Sequence, residues 1–160
     1  MKQLSEITKK TKKLVIGLMS GTSADGMDAA LVEITDFGPD TKVRQIAFAS
    51  LPYREEERRE ILRLAEGKAG GSADLCRFNF WLGQKSLDAC RAVCEQAGVG
   101  PEEIDLVGSH GQTLYHIPVP EEYLGHSFAS TLQLGEASVI AEGLGCPVVG
   151  VFRVRDMAAG

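Results

Sequence analysis

A chain of 160 residues is long enough for one well-cored domain and short for two. Its 44% apolar and 24% charged residues give an ordinary globular balance and exclude a disordered chain. A net charge of -5 argues against nucleic acid or an anionic membrane as partner, while leaving room for a locally positive site that binds ATP.

Lys9, Lys10, Lys12 and Lys13 precede the apolar run Leu14–Met19, which at six residues is too short for the core of a secretory signal. Residues 1–13 read as a polar, basic leader to a cytoplasmic protein. Leu14–Met19 is apolar throughout and ends at turn residues, the pattern of a strand buried on both faces. Ala29–Ile34 predicts a second strand, joined to the first by a glycine-containing loop in a wide hairpin. Val43–Leu51, closed by Pro52, predicts a third, so the sheet opens with a three-stranded meander.

Glu55–Glu66 predicts a helix with carboxylates in its first turn and a Glu55/Arg59 pair at helical spacing. Gly70-Gly71 breaks the pattern and Ser72 then caps a longer helix to about Ala97, stopped by Gly98, with Phe78, Leu82, Ala89, Val93 and Ala97 as its core stripe. Gly83 inside it costs about 1 kcal/mol of helix propensity, which points to close packing there. Trp81, with Phe78 and Phe80, reads as helix packing. Of the four cysteines (Cys76, Cys90, Cys94, Cys146), Cys90 and Cys94 share one helix face; no CxxC pair exists, and all are expected to be reduced. Ile104–Ser109 predicts a fourth strand, Thr131–Leu134 a short strand, Ala137–Leu144 a helix and Pro147–Phe152 a fifth strand. Pro118–Ser127 is the most loop-like stretch. The resulting order is that of the α/β class, and a meander followed by alternating helices and strands matches one lobe of the actin-like phosphotransferase architecture.

Ser20-Gly-Thr-Ser-Ala-Asp-Gly-Met-Asp28 is the most informative segment. Gly21 and Gly26 let the backbone bring N–H groups close to a ligand, and Thr22 and Ser23 add hydroxyl donors suited to phosphate oxygens. Asp25 and Asp28 are hard oxygen donors suited to Mg²⁺. The segment has neither the Gly-Lys-Ser/Thr ending of a P-loop nor GxGxxG spacing, and the same residues also make ordinary polar turns. Ser109-His-Gly-Gln-Thr113 follows the fourth strand, where binding groups converge at the mouth of an α/β sheet. His110, Gln112 and Thr113 alternate donors and acceptors in a way that suits a sugar, although a lone histidine is commonly a satisfied core residue. His116 reads as a wall residue and His126 as an exposed loop residue. Arg153 and Arg155 point the same way if the chain stays extended, and Arg153 is the candidate for holding sugar oxygens.

Gly17-Leu-Met-Ser-Gly-Thr-Ser-Ala-Asp-Gly-Met-Asp28 resembles the signature of the anhydro-N-acetylmuramic acid kinases. Gly108–Thr113, Leu132-Gln-Leu-Gly-Glu136 and Phe152–Gly160 resemble further motifs of that family in the same order. The resemblance implies an actin-like, two-lobed kinase that opens the 1,6-anhydro bond of anhydro-N-acetylmuramic acid with water and phosphorylates the 6-oxygen from ATP, in peptidoglycan recycling. It implies that Gly21, Thr22, Ser23, Ala24, Asp25, Gly26, Met27 and Asp28 bind ATP and that Asp25 and Asp28 position Mg²⁺. It further implies that His110, Gln112, Thr113 and Arg153 meet the sugar. Val151 stands where relatives usually carry Asp. The general-base aspartate is expected beyond Gly160, in a second lobe, so the isolated chain is expected to be inactive, with apolar surface exposed near Leu144–Phe152. A homodimer or a separate second lobe is the protein partner this implies; the alternative is a non-catalytic remnant or a half-subunit that needs its partner.

Overall fold

The computed structural model describes residues 2–68 and 70–160. Strands β1 (Lys12–Met19), β2 (Gly26–Thr35) and β3 (Lys42–Pro52) form the expected antiparallel meander, with Leu18 opposite Ala29 and Ala29 opposite Ala49. Helices α2 (Glu55–Ala65) and α3 (Ser72–Ala97), numbered after a single turn α1 (Leu4–Ile7), carry the chain back across the sheet. Strand β4 (Leu106–Ser109) then joins β1 in parallel, Gly108 beside Gly17. A hairpin of β5 (Gln112–Tyr123) and β6 (His126–Leu134), helix α4 (Ala137–Leu144), strand β7 (Val148–Val149) and helix α5 (Phe152–Ala159) complete the order. The main sheet runs β3-β2-β1-β4-β7, with β7 parallel to β4, and the hairpin forms a separate two-stranded sheet. This is the α/β arrangement, opening on a three-stranded meander, that the sequence implies.

The core lies between this sheet and α3. Ile16 and Leu18 of β1, Met27, Ala29 and Leu31 of β2, and Val107 of β4 turn one face of the sheet toward Phe78, Leu82, Ala89, Cys90 and Val93. The predicted stripe of α3 is the buried one, and Trp81 stacks on Phe78 at 5.5 Å between centroids, whereas Phe80 faces solvent. Gly83 has the predicted reason to be glycine: a Cβ there would lie 2.7 Å from the Glu136 carbonyl oxygen. Cys90, Cys94 and Cys146 are buried free thiols, and burial raises the pKa of each. Among the described residues no helix is long and apolar enough to cross a membrane.

Three expectations change. The loop-like stretch Pro118–Ser127 is largely strand: Pro118 and Pro120 fall within the irregularity between Ile117 and Glu121, where the β5–β6 ladder skips, so neither removes a paired N–H. The last strand stops at Val149, and the chain is helical from Phe152 onward. Arg153 and Arg155 therefore diverge by about 200° around a helix instead of sharing a side. On α2, Arg54 and Arg63 take the ion-pair roles, with Glu57 at 3.0 Å and Glu60 at 2.8 Å, in place of the predicted Glu55/Arg59 pair.

Residues 2–13, within the predicted leader, contact the domain. Ile7 is buried, Lys2 and Lys10 bond Asp105, and β1 already begins at Lys12. Apolar exposure occurs at Val149, Val151, Phe152 and Val154, while Leu144 and Cys146 are buried.

Val151 precedes α5 with φ of +55°, a left-handed conformation that a β-branched residue adopts only under strain, and it offers no side-chain cap. Asparagine tolerates that backbone, so Val151→Asn is expected to stabilise α5 locally by about 1 kcal/mol. Slower amide hydrogen exchange across Val154–Ala159 is the check; unchanged exchange would remove strain as a property of this turn.

Candidate active site

Three loops meet at the carboxyl ends of the parallel strands β1, β4 and β7, the edge at which open α/β sheets bind ligands. The first is Ser20–Asp25. The Ala24 N–H bonds the Gly21 carbonyl at 3.1 Å, and Ala24 itself is left-handed and fully buried, which pins the turn from below. Gly21, Thr22 and Ser23 are exposed, and among the described residues their amides and hydroxyls have no acceptor in the protein. These donors thus face outward from one rigid turn, an arrangement suited to phosphate oxygens.

Of the eight residues predicted to bind nucleotide, Gly26, Met27 and Asp28 belong to β2. Met27 is a core side chain, 2% exposed. The two glycines differ in role. A Cβ on Gly21 would meet only the Ser23 hydroxyl, at 3.7 Å, whereas a Cβ on Gly26 would lie 2.6 Å from the Leu51 carbonyl oxygen. Gly21 is open space beside the turn, and Gly26 is required by the packing of β2 on β3.

The two carboxylates leave the turn in different directions. Asp28 accepts a hydrogen bond from Ser50 Oγ at 2.6 Å on the open face of the sheet, and Asp25 lies 3.6 Å from Arg58 Nε of α2. No group of three metal-ligating side chains occurs among the described residues. This donor set does not form a protein cage for Mg²⁺.

The second loop, Ser109–Thr113, is tied to the first by Gln112. Its Oε1 accepts from Ser20 Oγ at 2.5 Å and its Nε2 donates to the Gly21 carbonyl at 3.3 Å, while Tyr53 Oη donates to Ser20 Oγ at 3.2 Å. Burial raises the Tyr53 pKa, so the phenol remains a donor. Gln112 is 2% exposed and occupied at both ends of its amide, which makes it the clamp on the turn. His110 is half-buried, its N–H on the Leu18 carbonyl and its Nδ1 within 3.0 Å of the Gly111 carbonyl. It lines a cleft of about 520 Å³ with His116, Phe152, Arg153, Asp156 and Met157. His110 and Arg153 are thus brought together as predicted, His116 forms part of the wall, and Arg155 lies outside. His126 is exposed on β6.

The third loop holds Leu132–Glu136, which in the sequence serves only as a family marker. Asn79 of α3 grips it from three sides: its Oδ1 accepts from Gly135 N–H at 2.8 Å, its carbonyl from Glu136 N–H at 3.0 Å, and its Nδ2 donates to Glu136 Oε2 at 2.9 Å. Glu136 Oε1 then caps α4 through the Ser138 N–H, and the Ser138 and Asn79 hydrogen bonds hold the carboxyl below the usual carboxylate range. Gln133, in the same segment, carries no signal in the sequence that singles it out.

Outward donors on a clamped turn, beside a cleft walled by histidine and arginine, form one polar edge of the lobe. Residues 13–160 match the family described as Anhydro-N-acetylmuramic acid kinase, and the chain belongs to that family. A protein of that name from Caldanaerobacter subterraneus subsp. tengcongensis is 49% identical over this entire chain, which covers 40% of the relative. Its namesakes from Salinibacter ruber (40% identical, all of this chain, 40% of the relative) and Bacillus cereus strain Q1 (44% identical, 91% of this chain, 37% of the relative) agree. The chain thus spans about two-fifths of the length of these curated relatives. Among solved structures, YeaZ from Pseudomonas aeruginosa aligns over 87% of this chain and 43% of its own at 14% identity and a TM-score of 0.31, too loose a likeness to build on.

Proposed function

We propose that this chain is the nucleotide- and sugar-binding first lobe of an ATP-dependent anhydro-N-acetylmuramic acid kinase of cytoplasmic peptidoglycan recycling. In the reaction, water adds to the anomeric carbon as its bond to the 6-oxygen breaks. The released 6-oxygen takes the γ-phosphoryl group of ATP, giving the 6-phosphate, ADP and a proton. The observation that carries the reading is the Gln112 clamp, which joins the outward-facing donors of Gly21, Thr22 and Ser23 to the loop that also presents His110. These donors hold the polyphosphate of ATP. Arg153 and His110 orient the sugar in the adjoining cleft, and Thr113 contacts it beside them. Mg²⁺ would come with the nucleotide; Asp25 and Asp28, which diverge toward Arg58 and Ser50, form no cage for it. General-base catalysis comes from an aspartate outside these 160 residues, so the lobe alone binds but does not turn over.

Thr22 and Ser23 are exposed and without protein partners, so removing both hydroxyls leaves the fold intact. In the full chain carrying this sequence, the double variant Thr22→Ala/Ser23→Ala is expected to keep its melting temperature. ATP affinity should fall about 10- to 100-fold, two charge-assisted hydrogen bonds at roughly 1–1.5 kcal/mol each. Calorimetric titration with ATP and a coupled assay of ATP consumption with the anhydro sugar test the reading. Undiminished ATP affinity in the variant, or no sugar-dependent consumption by the parent, would refute it.

A further inference from the structure

One buried side-chain acceptor among the described residues has no hydrogen-bond partner: Gln133 Oε1. Its neighbours fix which way the amide points. Thr131 Oγ1 donates to the Tyr115 carbonyl at 3.3 Å, so toward Gln133 it can only accept, and Gln133 Nε2 donates to it at 2.7 Å. The same Nε2 donates to Thr113 Oγ1 at 3.2 Å. The NH₂ end is therefore committed to two threonines, and the oxygen points away from both. Thr113 Oγ1, already accepting, keeps its own proton, for which no protein acceptor occurs among the described residues. One hydrogen-bonded chain thus presents an unmet acceptor on Gln133 and an unmet donor on Thr113.

The location is the binding edge. Gln133 lines a recess of about 60 Å³ with Ser109, His110, Gly111, Gly150 and Val151, at the carboxyl ends of β4 and β7. An unmet buried acceptor costs stability, and the free Thr113 hydroxyl beside it had the means to satisfy it internally. We propose that Gln133 is a substrate-orienting residue. Its Oε1 accepts a hydrogen bond from a hydroxyl or amide N–H of the sugar, and its Nε2 turns the Thr113 hydroxyl outward as a donor to a neighbouring sugar oxygen. This rests on the sugar-kinase reading above and adds to it a residue and a polarity, one acceptor beside one donor, which selects a ligand carrying O–H or N–H groups over an apolar or purely anionic one.

The test is Gln133→Met, close in size and without polar ends, made in the full chain carrying this sequence and titrated with 1,6-anhydro-N-acetylmuramic acid and separately with ATP. Melting temperature is expected to stay level or rise, because an unsatisfied acceptor is removed. Affinity for the sugar is expected to fall about 10-fold or more while that for ATP is unchanged. Gln133→Glu keeps an acceptor of similar size but lacks the N–H that turns Thr113 outward, so its loss of sugar affinity should be smaller than that of Gln133→Met. Unchanged sugar affinity in Gln133→Met overturns the proposal, as does a fall of more than about 5 °C in its melting temperature, which assigns Gln133 to the fold. Equal losses in both variants overturn it too. A parent that binds no sugar sinks the kinase reading and this inference with it, whereas a parent that binds while Gln133→Met binds equally well sinks this inference alone.

Discussion

Replacing Lys2 and Lys10 together with methionine is expected to destabilise the domain by about 3 kcal/mol at pH 7, more than removing the carboxylate they serve. Asp105, at the entry to β4, is 1% exposed and accepts from Lys2 Nζ at 3.2 Å, Lys10 Nζ at 2.5 Å and the Leu14 N–H at 3.0 Å. Burial pushes its pKa up, but the two lysines and the Leu14 amide outweigh burial and hold it below the usual value. The lysine ammoniums are partly in water, so losing Asp105 returns them to solvent, whereas losing both lysines strands a buried anion. The pH dependence separates the cases. In the parent the depressed folded pKa contributes stability above the unfolded value near 3.8, and that contribution is lost as pH falls through the folded value. In the double variant burial outweighs the remaining Leu14 amide, the folded pKa lies above the unfolded one, and the penalty present at pH 7 is relieved as the group protonates. Urea unfolding from pH 7 to pH 3 should show the two stabilities converging; a pH-independent gap would mean that Asp105 is not the group the lysines serve.

The same contact shows what the sequence leaves illegible. Lys9 to Lys13 read as a basic leader because a lysine run is ordinarily a solvated surface, and the carboxylate that organises two of the N-terminal lysines lies some 95 residues away, at Asp105. Local signals survive folding where they are local in origin. Gly98 ends α3 with φ of +66°, as predicted, whereas the N-cap is Gly71 and the predicted cap, Ser72, is the first helical residue. Gly83 is legible as a close approach, although its partner, the Glu136 carbonyl, is not nameable from sequence. Of the β5–β6 hairpin only Thr131–Leu134 is read as strand, because both faces are largely exposed, so little alternation marks it, and because its prolines sit where the ladder skips. Apolar continuity also misleads: the run through Val148, Val149 and Val151 reads as strand, but after Gly150 the segment Arg153–Ala159 is rich in arginine, alanine and methionine, good helix formers.

The binding edge divides along the same line. The turn after β1 is legible because its residue types carry the chemistry themselves. Gln112 is legible as polar and near the site, but its buried clamp on Ser20 and Gly21 is a tertiary fact. Gln133 is invisible, because an alternating strand residue becomes notable only when its oxygen is found without a partner. The geometry of this edge therefore depends less on the exposed turn than on the buried amides that hold it, and these in turn depend on one glycine.

Gly111→Ala is expected to cost about 2–4 kcal/mol and to loosen the Ser20–Asp25 turn after the neighbouring strand. Gly111 has φ of +72°, and a Cβ there would lie 2.6 Å from the Leu134 carbonyl oxygen, a backbone atom held by the β5–β6 ladder. The left-handed backbone accounts for about 1–2 kcal/mol of the loss and the overlap for a similar amount, since neither partner can rotate away. Gly98 isolates the first part: its φ of +66° is alike and its Cβ position is empty within 4 Å, so Gly98→Ala should cost only about 1 kcal/mol. Relief of the overlap moves Gly111 away from β6 and carries Gln112 with it, so the hydrogen bonds to Ser20 and Gly21 lengthen or break. Hydrogen exchange at Ser20–Ala24 should then quicken in Gly111→Ala and stay at the parent rate in Gly98→Ala, even after temperature is adjusted to equalise global stability. Equal exchange in the two variants would mean that the turn holds its shape without Gln112, and the link from the second loop to the first would have to be given up.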